Sequence, residues 1–178
     1  MHTFKEGWCV VYTRPQHEQK VAHQLRMLGI EYFLPMVKSL RIWSDRRKYI
    51  NAPLFPSYVF VKLENIQSYF SSLELKGILH YVRNGKQIAS VPESIVLNLK
   101  LLLANSNEEI LVSSEYILPG KRLFVSGGPF TGFECEMIRH NGKHKILVRI
   151  DLIHRNVIVD MPLESLMPAS TVLSALSA

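Results

Sequence analysis

The chain has few of the residues on which secreted domains depend. It contains two cysteines among 178 residues, Cys9 and Cys135, which lie far apart in sequence. We predict two buried thiols rather than a disulfide, as is typical of a reducing cytoplasm. No apolar run approaches the ~20 residues of a membrane span, and the first residues lack the features of a signal peptide. The sequence therefore predicts a cytoplasmic protein without a membrane partner.

Motifs for catalysis and for cofactor or metal binding are also missing. There is no glycine-rich phosphate loop, no paired-cysteine motif and no His-Glu-x-x-His sequence. His140 and His144 lie four residues apart, but Asn141-Gly142 between them favours a hairpin over the helix that such a metal pair needs. We therefore expect a binding protein and not an enzyme. We expect this protein to be a monomer and to need no cofactor or metal.

Positive charge is concentrated in the first part of the chain. The formal net charge is +6, of which residues 1–104 hold 14 Lys+Arg against 7 Asp+Glu. Residues 105–178 hold 7 Lys+Arg against 8 Asp+Glu. This asymmetry, a basic part followed by a nearly neutral part, favours two domains with different partners. The alternative is that the excess cations only keep the first domain soluble.

The pattern of segments also changes along the chain. Residues 1–104 mix strand-like runs with helical runs, which predicts an α+β domain with an open antiparallel sheet flanked by helices. Residues 105–117 are polar and are predicted to be a linker. Residues 118–168 show short strands separated by Gly and Pro turns, which predicts a small all-β barrel, and 169–178 form a tail. Residues 145–153 fit a strand, but their apolar spacing also fits a helix.

Two short strand-like strings stand out, WCVVYTRP at 8–15 and PLFPSYVFV at 53–61. Residues two apart on a strand share a face, so Tyr58 and Phe60 point the same way. With Tyr12 they form an aromatic set. Aromatic residues on strands usually belong to the core, but if the sheet needs only one face for its core, this set is a docking surface.

These strings resemble the NusG family of transcription elongation factors. WCVVYTRPQHEQKVAHQL resembles its opening strand and helix, FLPMVKSLRIWSDRRKYINAPLFPSYVFVKL its central hairpin, and VSGGPFTGFE at 125–134 the start of a KOW motif. Within the family the chain looks closer to specialised paralogues of the RfaH and UpxY type. The resemblance implies an NGN-type domain followed by a KOW domain, which is an SH3-like barrel.

The resemblance also implies a function. By this resemblance, the chain would be an operon-specific elongation or antitermination factor that binds the RNA polymerase clamp and suppresses pausing or termination. The alternatives are a general NusG-type elongation and termination factor and an RNA- or ribosome-binding KOW module. The resemblance implies that Tyr12, Tyr58 and Phe60 contact the clamp helices of the polymerase β′ subunit. Contacts to the gate loop of the β subunit fall on Ser68, Ser71 and Ser72.

A second implied partner is the non-template DNA exposed in the transcription bubble. The matching residues lie at the entry to the first helix and along it: Arg14, Lys20, His23, Gln24 and Arg26. Arg and Lys suit phosphates, while Arg, Gln and His also read exposed bases. A hairpin tip adds Arg46, Arg47 and Lys48, which would face duplex DNA. The alternative for both sets is a solvated surface with no partner.

The C-terminal region departs from the general factor. Glu134-Cys135-Glu136 stands where a glycine usually occurs, and residues 151–156 replace the aromatic-Gly-Arg tip associated with termination-factor binding. Leu152 and Ile153 are predicted to be exposed at this tip. By resemblance they would contact a protein of the small ribosomal subunit.

Overall fold

The structure is a computed structural model that describes residues 4–42, 47–105, 110–118, 120–125, 133–140, 143–159 and 166–168. The chain divides into two compact units, Met1–Glu93 and Ser94–Ala178. This division comes earlier than the predicted boundary at residue 104, because the helix Glu93–Asn105 groups with the second unit.

The first unit is built on an antiparallel sheet. Its elements are β1 (Gly7–Thr13), α1 (Glu18–Met27), β2 (Tyr32–Phe33), β3 (Met36–Ile42), β4 (Arg47–Pro53), β5 (Tyr58–Leu63), α2 (Ile66–Leu73), β6 (Ile78–Tyr81), β7 (Arg83–Asn84), β8 (Gln87–Ile88) and β9 (Ser90–Val91). The sheet has the order β2-β5-β1-β6, with β9 also paired to β1. β3 pairs with β4 and β7 with β8 as separate hairpins. The two strings with the aromatic residues are therefore neighbouring strands of one sheet.

One face of this sheet packs on the helices. Alternate residues of β1 and β5 join α1 and α2 in a single apolar cluster that includes Val11, Val59, Leu25 and Tyr69. The helix α2 starts after a cap, where the Asn65 side chain accepts a hydrogen bond from the Ser68 amide. Burying each such side chain contributes about 1.5–3 kcal/mol, so this face holds the unit together.

The opposite face of the sheet is also buried along much of its length. Trp8 is 4% exposed, and Val10 and Phe60 are fully buried. At the end of β1 and the start of β5, where Tyr12 pairs with Tyr58, the rings remain accessible. The expectation that one face would suffice for the core is therefore wrong.

The second unit contains one helix and a six-stranded antiparallel sheet. Its elements are α3 (Glu93–Asn105), β10 (Leu111–Ser113), β11 (Lys121–Val125), β12 (Glu134–His140), β13 (Lys143–Ile150), a 3-10 helix (Asp151–Ile153), β14 (Arg155–Val159) and β15 (Leu166–Pro168). The strand order is β10-β14-β13-β12-β11-β15. Over the residues that the structure describes, this order is open at both ends, so the predicted closed barrel is not confirmed.

Two sequence predictions change in this unit. Residues 111–113 were expected in a polar linker but form β10, which pairs with β14. This strand is only three residues long, and the Asn156 side chain secures the chain just after it by donating to the Glu115 carbonyl oxygen. Residues 145–150 are a strand, which resolves the strand-or-helix ambiguity for that part. The Gly-rich part of the KOW-like string, 126–132, lies outside the described residues, as does the tail 169–178.

No helix in the described ranges is long and apolar enough to cross a membrane.

Candidate functional site

Three rings line up across three neighbouring strands at one end of the first unit's sheet. Tyr12 on β1 pairs with Tyr58 on β5 and with His80 on β6. The Tyr12 ring lies 5.2 Å from the Tyr58 ring and 5.2 Å from the His80 ring, centroid to centroid. The two tyrosines are partly buried and His80 is exposed. We call Tyr58, Tyr12 and His80 the ring row; it is an accessible aromatic surface.

Phe60 does not belong to this surface. Its side chain is fully buried, and its ring packs against Phe33 at 5.9 Å and Phe55 at 6.0 Å. The predicted docking role of Phe60 is therefore wrong: Phe60 shares a face with Tyr58, but Phe55 and Phe33 cover it. Alternation predicts the face on which a side chain lies, but not whether that face is covered at a given residue.

His80 could not be recognised from the sequence. It lies in a short strand among six other histidines scattered along the chain. Only the pairing of β6 with β1 brings it beside Tyr12, and β1 has an irregularity there that shifts the register after Tyr12. His80 can therefore be recognised as part of this surface only from the pairing of the strands, and not from the sequence around it.

A buried carboxylate fixes the start of the strand that carries Tyr58. Glu18, 5% exposed, accepts a hydrogen bond from the Ser57 amide at 2.7 Å. The Ser57 carbonyl oxygen accepts from the Thr13 amide at 2.8 Å. Ser57 has a φ of 66°, a conformation that costs a non-glycine residue energy unless its surroundings hold it. These bonds place Tyr58 next to Tyr12, and sequence reasoning missed Glu18.

The three serines predicted for the gate-loop contact have different environments. Ser68 uses its backbone amide and its hydroxyl to cap α2 through Asn65, and Ser71 is partly buried. Ser72 is fully buried, and its hydroxyl bonds the Tyr69 carbonyl oxygen and the Tyr81 hydroxyl. A partner therefore cannot reach Ser72, whose predicted contact role is wrong.

The cations predicted for α1 are accessible. Arg14, Lys20, His23 and Arg26 are exposed. Gln24 is instead tied to the chain: its side-chain nitrogen donates to the Lys76 and Lys20 carbonyl oxygens at 3.0 and 3.2 Å, and its side-chain oxygen accepts from the Lys76 amide at 3.3 Å. Base reading by Gln24 would have to break these bonds.

Lys76 is a further cation of this surface that sequence reasoning missed. Its backbone is bonded to Gln24 on α1. The next residue, Gly77, accepts a hydrogen bond from the Arg14 amide at 2.8 Å. Exposed Lys76 therefore lies between the end of β1 and the middle of α1, near Arg14 and Lys20. We call Arg14, Lys20 and Lys76 the cation cluster.

The remaining predicted residues lie elsewhere. Arg47 and Lys48 are at the start of β4, where Lys48 is exposed, while Arg46 lies outside the described residues. In the second unit, Leu152 is partly buried and Ile153 is 4% exposed. The predicted exposure of Ile153 is therefore wrong, because the 3-10 helix turns that side chain inward.

The second unit has one closely linked polar network. Arg149 donates to both carboxylate oxygens of Glu136, at 3.2 and 3.1 Å, and to the Ile117 carbonyl oxygen at 3.0 Å. Glu136 also accepts from the Gly120 amide at 3.1 Å. Burial raises the pKa of Glu136, but the hydrogen bonds from Arg149 and Gly120 outweigh burial, so the net pKa lies below its usual value. This network ties Ile117 and Gly120 to the sheet.

Neither described cysteine is available for chemistry. Cys9 and Cys135 are buried free thiols, as predicted. Burial raises the pKa of each thiol to about 12. Within the described part of the chain, no group of three or more His, Cys, Asp or Glu side chains could hold a metal ion.

Comparison with known proteins addresses the first unit most directly. The family model of NusG, described as transcription termination factor nusG, matches residues 6–100. Transcription termination/antitermination protein NusG of Borreliella burgdorferi is 22% identical over 177 residues, covering 87% of this chain and 94% of that protein. The protein of the same name from Lactococcus lactis is 21% identical, covering 92% and 94%.

Two solved structures are also similar. One is a structure of Thermotoga maritima NusG, solved in a study of its domain interaction. It is 20% identical to this chain, with a TM-score of 0.48, and the match covers 93% of this chain and 98% of that one. A chain of the MjSpt4:Spt5 complex shares 14% identity with a TM-score of 0.28, covering 91% and 97%. Because the family model spans the sheet, both of its helices and the ring row, over more than half of the sequence, this chain belongs to the NusG family.

Proposed function

We propose that this NusG-type transcription termination/antitermination factor is an operon-specific elongation factor that docks on RNA polymerase through the ring row. The observation that carries the proposal is the row itself, an accessible aromatic surface inside the segment that matches the family. Tyrosine suits such a role because it buries a large area and has few torsions to immobilise. The partner surface is that of the clamp helices of the β′ subunit.

Docking at this surface explains how a binding protein changes transcription. Contact with the clamp on one side and with the β gate loop on the other would bridge the polymerase cleft. Ser68 and Ser71 on α2 remain available for the gate-loop contact, whereas buried Ser72 does not. A bridging ligand shifts the polymerase toward the closed clamp because it binds that state better. A closed clamp resists pausing and termination.

The second contact is with non-template DNA. The cation cluster offers three exposed positive side chains on neighbouring elements, with His23 and Arg26 further along α1. Lys and Arg contacts to phosphates supply most of the affinity for such a strand, and this contribution falls with salt. His23 and Arg26 are the side chains that read bases, since the Gln24 amide is already bonded to Lys76. Arg47 and Lys48 face the duplex.

The second unit recruits a further partner. Its antiparallel sheet and the KOW-like string at 125–134 support a KOW domain that contacts a protein of the small ribosomal subunit. Leu152, but not Ile153, is the accessible apolar residue for that contact. Operon specificity is supported by the departures from the general factor at 134–136 and 151–156. Deletion of the gene should then alter one operon, whereas loss of a general factor would alter many.

The deciding experiment measures binding of the full-length protein to purified bacterial core RNA polymerase. Tyr58→Ala and Tyr12→Ala should each weaken binding by more than ~2 kcal/mol, as central interface aromatics do. The matched control is Tyr116→Ala, which removes a tyrosine that is 82% exposed in the second unit. Wild-type affinity in both test variants would refute the docking surface. Capture of ribosomal subunits without polymerase from a lysate would favour the RNA- or ribosome-binding module.

A further inference from the structure

We infer that His80 is a third docking residue of the ring row, and that the partner surface is an apolar patch bordered by carboxylates. The inference rests on the proposed docking function and extends it to the edge strand β6. The observations that carry it are the packing of the His80 ring against Tyr12, the exposure of His80, and the exposed Arg14 two residues after Tyr12.

The position of His80 makes it part of one continuous surface. Tyr58, Tyr12 and His80 occupy paired positions on three adjacent strands. Neighbouring strands are about 4.8 Å apart, so the row spans about 10 Å. The His80 ring lies tilted at 34° to the Tyr12 ring, with the two ring centroids 5.2 Å apart, so the two rings are in contact at the surface. A partner that covers Tyr12 and Tyr58 therefore meets His80 as well.

The chemistry of the border specifies the partner. Arg14 follows Tyr12 by two residues and is exposed. The hydrogen bond from its amide to Gly77 brings the end of β1 against the chain that enters β6. The Arg14 guanidinium and an N–H of the His80 ring thus offer hydrogen-bond donors beside an aromatic centre. Carboxylates at the edge of an apolar patch complement this arrangement, since charged acceptors form the stronger hydrogen bonds with such donors.

The first test asks whether the His80 ring contributes to binding. Full-length His80→Thr, which keeps a strand-favouring residue, should bind purified core RNA polymerase about 10-fold more weakly than wild type. His80→Phe, which keeps a ring, should stay within about 3-fold. Gln87→Thr on the neighbouring hairpin is the matched control for an exposed strand position. Thermal unfolding of each variant checks that the first unit remains folded.

The second test asks about the partner's charge. His80→Glu places a carboxylate at the same position, so it should bind more weakly than His80→Thr, with the difference largest at low salt. Equal binding by these two variants would overturn the carboxylate border.

The outcomes separate this inference from the proposed function. If Tyr12→Ala and Tyr58→Ala lose binding while His80→Thr binds like wild type, the row ends at Tyr12 and the inference is wrong, although the docking function stands. If all three variants bind like wild type, the docking function itself is wrong.

Discussion

Phe60 and Tyr58 lie two residues apart on the same face of β5, yet only Tyr58 reaches the surface. The difference comes from Phe55 and Phe33, whose rings pack on Phe60. Two side chains with the same direction therefore have different roles: Phe60 supports the sheet from inside, and Tyr58 is available to a partner.

These roles predict opposite phenotypes. Phe60→Ala should lower the free energy of unfolding of the first unit by about 3–5 kcal/mol, because it removes a fully buried ring and leaves a cavity. Tyr58→Ala should lower it much less. Urea denaturation monitored by circular dichroism measures both values. A small effect of Phe60→Ala would mean that the packing around Phe33 and Phe55 relaxes into the space.

For single residues, the sequence predicted the state of the cysteines but not the contacts that surround Ser72 and Gln24. The burial of both cysteines was predicted and is confirmed. Neither the burial of Ser72 nor the structural role of Gln24 could be predicted, since both depend on contacts between elements. The Ser72 hydroxyl bonds the Tyr81 hydroxyl on β6, and the Gln24 side chain bonds the backbone of Lys76, which lies 52 residues away.

At the scale of elements, the end of β1, the middle of α1 and the chain before β6 form one charged surface. Backbone hydrogen bonds from Arg14 to Gly77 and side-chain bonds from Gln24 to the Lys76 backbone connect these three segments. The cation cluster is therefore held on ordered backbone, and these hydrogen bonds fix the relative positions of the backbone segments that carry its charges.

This arrangement predicts the salt dependence of DNA binding. Arg14→Ala, Lys20→Ala and Lys76→Ala should each weaken binding to a paused complex with exposed non-template DNA. Each should also reduce the slope of log affinity against log salt by about one for each phosphate that the variant no longer neutralises. A salt titration measures both effects, with Lys86→Ala on the exposed β7–β8 hairpin as the control. Unchanged slopes in all three variants would exclude this surface.

The Glu136–Arg149 network predicts a pH dependence for the second unit. Since the folded-state pKa of Glu136 lies below its ordinary value of 4.5, the carboxylate stabilises the unit above about pH 4.5. That contribution disappears as the pH falls through the folded-state pKa. The free energy of unfolding should therefore decline more steeply below about pH 4.5 in wild type than in Glu136→Gln.

The control for this measurement is Glu115→Gln, which changes an exposed carboxylate two residues before Ile117. It should keep the wild-type pH profile. Identical profiles for wild type and Glu136→Gln would show that the network does not couple protonation to folding.

Element types in the first unit followed largely from the sequence, because long periodic runs such as α1 and β5 carry their own signal. In the second unit, β10 has only three residues and could not be recognised before its partner β14 was known. The ring row is a similar case: two of its rings stood in distinctive strings, while the third required the strand order.

At the scale of the whole molecule, the aromatic and cationic surfaces both belong to the unit Met1–Glu93. The fragment of residues 1–110, which retains α3, should therefore bind polymerase and suppress pausing without the C-terminal sheet. A purified transcription assay measures this, after circular dichroism shows that the fragment is folded. An inactive but folded fragment would mean that both units act together, and that the modular proposal is wrong.

The two buried thiols have a practical consequence for such experiments. A thiol with a pKa near 12 is almost entirely protonated at neutral pH and reacts slowly with maleimides. A single cysteine introduced at an exposed position such as Lys86 would thus take up a fluorophore selectively in the folded protein, with Cys9 and Cys135 left in place. The native cysteines therefore need not be removed before the protein is labelled for single-molecule measurements of binding and release.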